Sequence, residues 1–138
     1  MSKYLVMIYG RQADYDAMSG RASEGTPAWT GQELQAMFGF MESVNNDLAE
    51  SGELVDAQGL SEPKQAVVVT PGTDGTPVVS DGPYGEAKEV LAGYWVLDCE
   101  SIERVTEIAK RVLLCPGPEG GPVFPIVIRP IQEGPECA

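Results

Sequence analysis

The sequence predicts a single α+β domain over residues 1–138, ending in a flexible polar tail from about residue 132. Short apolar segments of strand length alternate with two stretches in which apolar residues recur every three or four positions. The chain has 138 residues, which is enough to bury one hydrophobic core but too few for two ordinary domains. The segment order is approximately βαβββαβ, which fits one antiparallel sheet with two main helices on one face.

The first predicted strand covers residues 3–9, a continuous apolar run that ends at Gly10. Such a run is typical of a strand that is covered on both faces. Residues 11–27 are rich in Gly, Ser, Asp and Ala and show no sustained period. They are therefore expected to form a long loop, with a helical turn around residues 14–18.

The first main helix is predicted to begin after Thr30. Thr30 and Glu33 have the spacing of a capping box, and Trp29 and Leu34 have the spacing of a hydrophobic staple. Gly52 is the expected C-terminal stop. A stripe of apolar residues predicts that this helix packs on a sheet, and it consists of Leu34, Met37, Phe38, Met41, Val44 and Leu48.

The middle of the chain is predicted to form a β meander. Residues 54–60 and 65–70 have the composition of strands, and the second of them contains a β-branched run. Residues 71–75 supply turn residues before a further strand at residues 77–80.

The remaining elements are a strand, a helix and a final strand. Residues 91–98 carry apolar side chains on both faces, and Ser101 can cap a helix that Pro116 prevents from continuing. The apolar positions of this helix are Ile102, Val105, Ile108, Ala109 and Val112. Residues 115–125 contain four Pro and three Gly, so an irregular connection is expected before the last strand at residues 125–131.

Two helices can cover only one face of such a sheet, yet the first, fifth and last predicted strands are apolar at alternate positions of both parities. A large exposed apolar face invites aggregation unless something covers it. The economical cover is a second copy of the same sheet, packed face to face about a twofold axis. The sequence therefore predicts a homodimer.

The composition argues against several classes of function. Nine Lys and Arg against 21 Asp and Glu give a net charge of −12, so neither nucleic acid nor an anionic membrane surface is an expected partner. No signal-peptide pattern and no run of eighteen apolar residues occurs, which predicts a cytoplasmic location. Histidine is absent and the three cysteines are widely spaced, so no histidine-based nucleophile pair, metal site or cofactor is expected.

The most distinctive segment is residues 81–89, with the sequence DGPYGEAKE. Together with the first strand, residues 93–95 and residues 128–130, it resembles the YCII-related proteins of the DGPF type over nearly the whole chain. Tyr84, Gly85 and Ala87 depart from the usual form of that motif. The resemblance implies a ferredoxin-like fold paired as a dimeric α+β barrel. It implies no particular activity, because most proteins of the DGPF type have none assigned. The histidine and aspartate pair of a related dehydrochlorinase cannot be carried over to a chain without histidine.

Asp81, Glu86 and Arg129 are the candidate catalytic residues. Asp81 either closes a turn with its carboxylate or serves as a base in a pocket. Glu86 either forms a solvated ion pair with Lys88 or turns inward towards a ligand. Arg129 shares one face of an apolar strand with Val127, so its guanidinium needs an anion. That anion is Asp81, Glu86, a carboxylate of a partner chain or a substrate carboxylate.

The candidate ligand contacts are Tyr84, Lys88, Tyr9 and Tyr94. Tyr84 has an apolar ring and a hydroxyl that either donates to a substrate oxygen or simply reaches water. Tyr9 and Tyr94 are expected to lie in the core or to line a barrel, with any ligand contact secondary.

Two hypotheses on function stay open. The first is a cofactor-independent acid/base enzyme of isomerase or lyase type, acting on a small aromatic or carbonyl-containing metabolite. In that case Asp81 or Glu86 transfers the proton, and Arg129 or Tyr84 orients an oxyanion. The second is a non-catalytic dimer that binds a ligand or a protein partner, with the charged segment serving only in turn and interface.

Overall fold

A computed structural model describes residues 2–81 and 88–133, without the side chain of Asp81. Within these residues the chain forms six strands, three α-helices and one 3-10 turn. Their bounds are β1 Ser2–Gly10, α1 Gln12–Met18, α2 Gly31–Ser51, β2 Leu54–Gly59, the 3-10 turn Pro63–Gln65, β3 Val67–Pro71, β4 Pro77–Asp81, β5 Val90–Cys99, α3 Ile102–Leu113 and β6 Val127–Pro130.

The main sheet has four strands in the order β2-β5-β1-β6, and every neighbouring pair is antiparallel. The helices α2 and α3 each connect two of these strands, so the chain contains the units β1-α2-β2 and β5-α3-β6. This arrangement is the ferredoxin-like α+β fold, and it confirms the predicted fold class.

One face of this sheet, the helix face, carries the core. Residues directly opposite each other in a ladder share a face, and β1 and β5 are in register with Val6 opposite Trp95 and Tyr4 opposite Leu97. Val44 of α2 packs against this layer. The buried cluster consists of Tyr4, Val6, Val44, Leu48, Trp95, Leu97, Cys99, Val105, Ile108, Ala109 and Val112. The expectation that both main helices pack on a sheet is therefore confirmed.

The other face of the sheet, the opposite face, carries the alternate residues of the same strands. Leu5 lies opposite Val96 and Arg129, and Met7 lies opposite Tyr94. None of these five residues belongs to the core cluster, and their exposure ranges from buried Met7 to exposed Arg129. The described helices therefore share their core with only one face of the sheet.

The ends of α2 follow the predicted local chemistry. Thr30 Oγ1 accepts a hydrogen bond from the Glu33 backbone N–H at 3.1 Å, and Glu33 Oε1 accepts one from the Thr30 N–H at 2.8 Å. Gly52 closes the helix at φ +82°, a left-handed conformation that suits glycine. Phe38 was predicted on the apolar stripe, but it is 59% exposed because the packed positions follow a separate line through Met37, Met41, Val44 and Leu48. None of the helices in the described part of the chain has both the length and the hydropathy of a membrane span.

An ion pair ties the start of α3 to the connection between α2 and β2. Arg104 Nε and Nη2 each donate to the carboxylate of Glu53 at 2.8 Å, and Ser51 Oγ donates to the same group. Mainly because of Arg104, the pKa of Glu53 falls from 4.5 to about 2. Burial raises the pKa of the nearby Cys99 thiol to about 11, so that cysteine is held as a neutral core side chain.

Two predictions about the secondary-structure elements are also wrong. Residues 12–18 form the whole helix α1 instead of a single turn inside a long loop. The middle strands do not form a meander: β2 pairs with β5, while β3 and β4 make a separate two-stranded hairpin. The physical reason is that β5 offers β2 a long antiparallel edge beside the core, and local turn signals do not report such distant pairing.

Candidate functional site

Three of the predicted site residues lie wholly or partly outside the described residues. Tyr84 and Glu86 lie in residues 82–87, which are not described, and Asp81 is described only as the last backbone position of β4. Their roles as base, acid or ligand contact therefore remain predictions.

Arg129 lies on β6, on the opposite face of the sheet, and its side chain is exposed. Among the described residues, no carboxylate lies within ion-pair distance of its guanidinium. Lys88 is also exposed and lies just before β5. An anionic partner for Arg129 must therefore come from the undescribed residues, from another chain or from a ligand.

Tyr9 and Tyr94 are half-buried, and both line the larger of two cavities, although the strand position of Tyr94 belongs to the opposite face of the sheet. The Tyr9 hydroxyl lies 3.5 Å from the sulfur of Met7. Of the seven predicted site residues, these two are the ones that the described structure brings to a common cavity.

Two cavities share part of their lining, and we call the pair the methionine groove. Their volumes are about 390 and 480 Å³. The first is bounded on one side by the connection between α3 and β6, and the second by β2 and β5. The two share a wall formed by Ile8, Tyr9, Asp14, Met18, Trp29 and Met41.

The groove exists because small residues meet where β2 and β5 pair. Gly59 lies opposite Gly93, and Ala92 follows Leu91 at the bulge between β1 and β5. A Cβ on Gly93 would lie only 3.0 Å from the carbonyl oxygen of Gln58, so a side chain there would require the neighbouring strand to shift by a few tenths of an ångström. The space above these residues is left to the larger side chains of α1 and α2.

Helix α1 closes one end of the groove and is held by two polar side chains. Gln12, only 6% exposed, donates to Asp16 and Glu62 and accepts from the backbone N–H of Lys64. The Tyr15 hydroxyl donates to the carbonyl oxygen of Leu60 at 2.9 Å. These bonds join α1 to the connection after β2. They stabilise α1, which has seven residues and is too short to be stable alone.

Arg11 and Asp14 form an ion pair at the groove wall. Arg11 donates to both carboxylate oxygens of Asp14, at 2.9 and 3.1 Å, and to Thr26 Oγ1 at 2.9 Å. Its guanidinium also lies 5.3 Å from the centre of the Phe124 ring. The carboxylate at the wall is therefore engaged by Arg11, which links α1 to the two long connections around it.

One hydrogen bond inside the groove involves the buried core residue Trp95. The indole N–H of Trp95 donates to Asn45 Oδ1 at 2.7 Å, and both residues line the larger cavity. Gln58 lies on the same wall and donates to Asp56 Oδ1 at 3.0 Å. The groove thus combines aromatic and thioether surface with a few oriented amides, which is the usual composition of a small-molecule site.

Cys115 lines the smaller cavity, and its burial raises the pKa of its thiol. A thiol that resists ionisation is a weak nucleophile. Among the described residues, no group of three or more acids and cysteines is placed to hold a metal ion.

The methionine groove was missed at the sequence level. The sequence pattern places Met37 and Met41 on a packing stripe and Trp29 in a hydrophobic staple. The sequence does contain a signal for an apolar ligand site. Methionines and a tryptophan in and just before the first half of one helix provide an adaptable apolar surface. What could not be read was that Met18 and the small residues of β2 and β5 lie across from them.

Comparison with known proteins identifies the family. The model of the YCII-related domain matches residues 2–122. An uncharacterized protein of Rhizobium meliloti (strain 1021) is 29% identical over 85 residues, which cover 62% of this chain and 68% of that protein.

Proposed function

This chain belongs to the YCII-related domain family, and we propose that it binds a small, predominantly apolar molecule in the methionine groove. The observation that supports the proposal is the pair of cavities with a shared wall. Each has a volume in the range of ligand sites, and aromatic and methionine side chains dominate the shared wall.

The described groove residues favour binding over acid/base catalysis. Among them, Asp14 is the one carboxylate, and both of its oxygens accept hydrogen bonds from Arg11. Burial raises the pKa of Tyr15, whose hydroxyl already donates to a backbone carbonyl. A general base needs an available lone pair close to its substrate, and no described groove residue is arranged in that way.

The proposal is tested with N-phenylnaphthylamine, a neutral dye whose emission rises in apolar surroundings. We expect saturable binding to the native chain. Met37 lines the larger cavity, so Met37→Trp should fill it and weaken dye binding by about tenfold.

The matched control is Phe38→Trp, which adds the same ring at the neighbouring, exposed position of α2. This variant should bind the dye within about twofold of the native chain. Absence of saturable binding, or equal binding by both variants, would overturn the proposal.

The acid/base hypothesis keeps one observation in its favour, the exposed Arg129 with no described carboxylate nearby. In this second candidate function, Arg129 captures a substrate carboxylate or oxyanion while Asp81 or Glu86 moves the proton, with Tyr84 and Lys88 beside them. Arg129→Gln should abolish binding of benzoate, followed by calorimetry, while leaving dye binding in the groove intact. Unchanged benzoate binding, or none by the native chain, would remove this candidate.

We further propose that a second copy of the chain covers the opposite face of the sheet. That face combines half-buried Leu5, Tyr94 and Val96 with exposed Arg129. It also carries Asp98, whose Oδ1 is buried without a hydrogen-bond partner in the described part of the chain. A twofold pairing of such faces can bring a cation of one copy to a carboxylate of the other.

The assembly is tested by sedimentation velocity. The native chain should sediment as a dimer, and salt should tighten the dimer because two chains of net charge −12 repel each other. Val96→Lys should give a folded monomer, whereas Phe38→Lys on the exposed side of α2 should not change the assembly. A native chain that stays monomeric at high protein concentration would contradict the proposal.

A further inference from the structure

We infer that Asn45 makes the methionine groove selective for uncharged ligands that carry a hydrogen-bond acceptor, such as an aromatic ketone. This inference rests on the proposed function and adds to it the chemical class of the ligand. It assigns to Asn45 the role of a specificity-determining residue.

The orientation of the Asn45 amide is set by the core. Trp95 is 4% exposed, and a buried indole N–H needs an acceptor. Asn45 Oδ1 supplies it at 2.7 Å, whereas a flipped amide would turn its own N–H groups towards the indole N–H. The amide oxygen therefore points to Trp95, and the amide nitrogen is directed elsewhere.

The amide nitrogen of Asn45 is left to donate. Within the part of the chain that the structure describes, no residue accepts a hydrogen bond from it. It is also absent from the buried polar atoms that lack a partner, so it is open to solvent or to a ligand. Because Asn45 lines the larger cavity beside Met41 and Trp95, an acceptor on a bound ligand can replace water at this N–H.

The charges around the groove disfavour an anionic acceptor. No lysine or arginine is among the described residues that line either cavity, while Asp14 lies on the shared wall. Arg11 is committed to Asp14 and Thr26. A ligand carboxylate would lose its hydration in an apolar groove without a cation to replace it, whereas a ketone oxygen needs only one donor.

The experiment compares three competitors of nearly equal shape for their ability to displace N-phenylnaphthylamine. They are tetralin, which lacks an acceptor, α-tetralone, which has a neutral one, and tetralin carboxylate, which is anionic. On the native chain we expect α-tetralone to bind about tenfold more tightly than tetralin, and the carboxylate to bind most weakly.

Asn45→Asp retains an oxygen for the Trp95 N–H and replaces the amide donor with an acceptor. In this variant α-tetralone should lose its advantage over tetralin. Asn46→Asp introduces the same charge at the next, exposed position and should keep the native order of affinities.

The outcomes separate the two proposals. If the dye binds and Met37→Trp weakens it, but tetralin and α-tetralone compete equally on the native chain, the inference about Asn45 is wrong and the proposed function stands. The inference is also wrong if Asn45→Asp, shown by circular dichroism to be folded, still prefers α-tetralone over tetralin. If the dye does not bind in the groove at all, the proposed function itself fails.

Discussion

The two faces of the main sheet are built from the same strands, yet they have different surroundings. On the helix face, Leu97 and Val6 are completely buried against α2 and α3. On the opposite face, Val96 and Leu5 occupy the neighbouring positions and stay half-buried, next to exposed Arg129. The comparison shows that an apolar strand pattern makes both faces suitable for burial, and that the helices decide which of them becomes the core of the chain.

The largest expected effect comes from a pair of adjacent substitutions on β5. Leu97→Ala should lower the free energy of unfolding by about 2–5 kcal/mol, because it leaves a cavity in the completely buried layer. Val96→Ala, one residue away on the other face, should cost less than about 1 kcal/mol at concentrations where the chain is monomeric. Urea unfolding measures both values, and equal losses would show that the two faces are equally buried.

A smaller effect is expected from the ion pair that anchors α3 over the helix face. Glu53→Gln should lower stability at neutral pH by about 1–2 kcal/mol, a value that allows for solvent around the partly exposed Arg104. The control is Glu107→Gln, because Glu107 is 70% exposed and lies 3.4 Å from Arg104; it should cost less than about 0.5 kcal/mol.

The contribution of Glu53 also depends on pH in a defined direction. Its pKa is lowered from 4.5 to about 2 in the folded chain, so its stabilisation is complete above about 4.5 and is lost as the pH falls towards 2. The stability difference between the native chain and Glu53→Gln should therefore shrink over that interval. A difference that stays constant down to pH 2 would show that the ion pair does not stabilise the fold.

Two glycines, one inside α2 and one at its C-terminal cap, test how this helix is stabilised. Gly52→Ala should cost about 1 kcal/mol, because alanine is strained at φ +82°. Gly39→Ala lies inside the same helix with open space around it, and it should raise stability by about 0.5–1 kcal/mol. Thermal unfolding should thus give shifts of opposite sign, and shifts of the same sign would contradict the assigned end of α2.

The smallest effect on the single chain is expected on the opposite face. Asp98→Asn should change the monomer by less than about 0.5 kcal/mol, since Asp98 Oδ1 has no described partner to lose. The proposed dimer should dissociate several times more readily, because a cation of the second copy would lose its carboxylate. Sedimentation equilibrium measures this change, and an unaltered dimer would exclude Asp98 from the interface.

Local chemistry accounts for the parts of the fold that the sequence predicted well. The Thr30 and Glu33 cap, the Gly52 stop and the Ser101 cap all depend on groups within four residues of one another, so spacing alone reveals them. Helix α1 was underestimated because its stability comes from Gln12 and Tyr15 bonding to residues about 45–50 positions away. Such long-range hydrogen bonds produce no periodic pattern in the sequence.

The candidate site divides along the same line. The sequence places Tyr9 and Tyr94 in the core or along a barrel because they are aromatic residues in apolar strands, and the structure places both at the larger cavity. The sequence does not single out Asn45. Its amide is oriented by the indole of Trp95, which lies 50 residues later in the chain.

By itself, the sequence determined the fold class, the main helices with their caps, the two-sided apolar strands and the absence of histidine chemistry. These are properties of composition and of groups that are close along the chain. The tertiary structure alone decided which sheet face is buried, that β3 and β4 stand apart, and that Met18, Trp29 and Met41 surround a groove. Burial and cavities depend on which distant segments pack together, and that packing is a property of the whole chain.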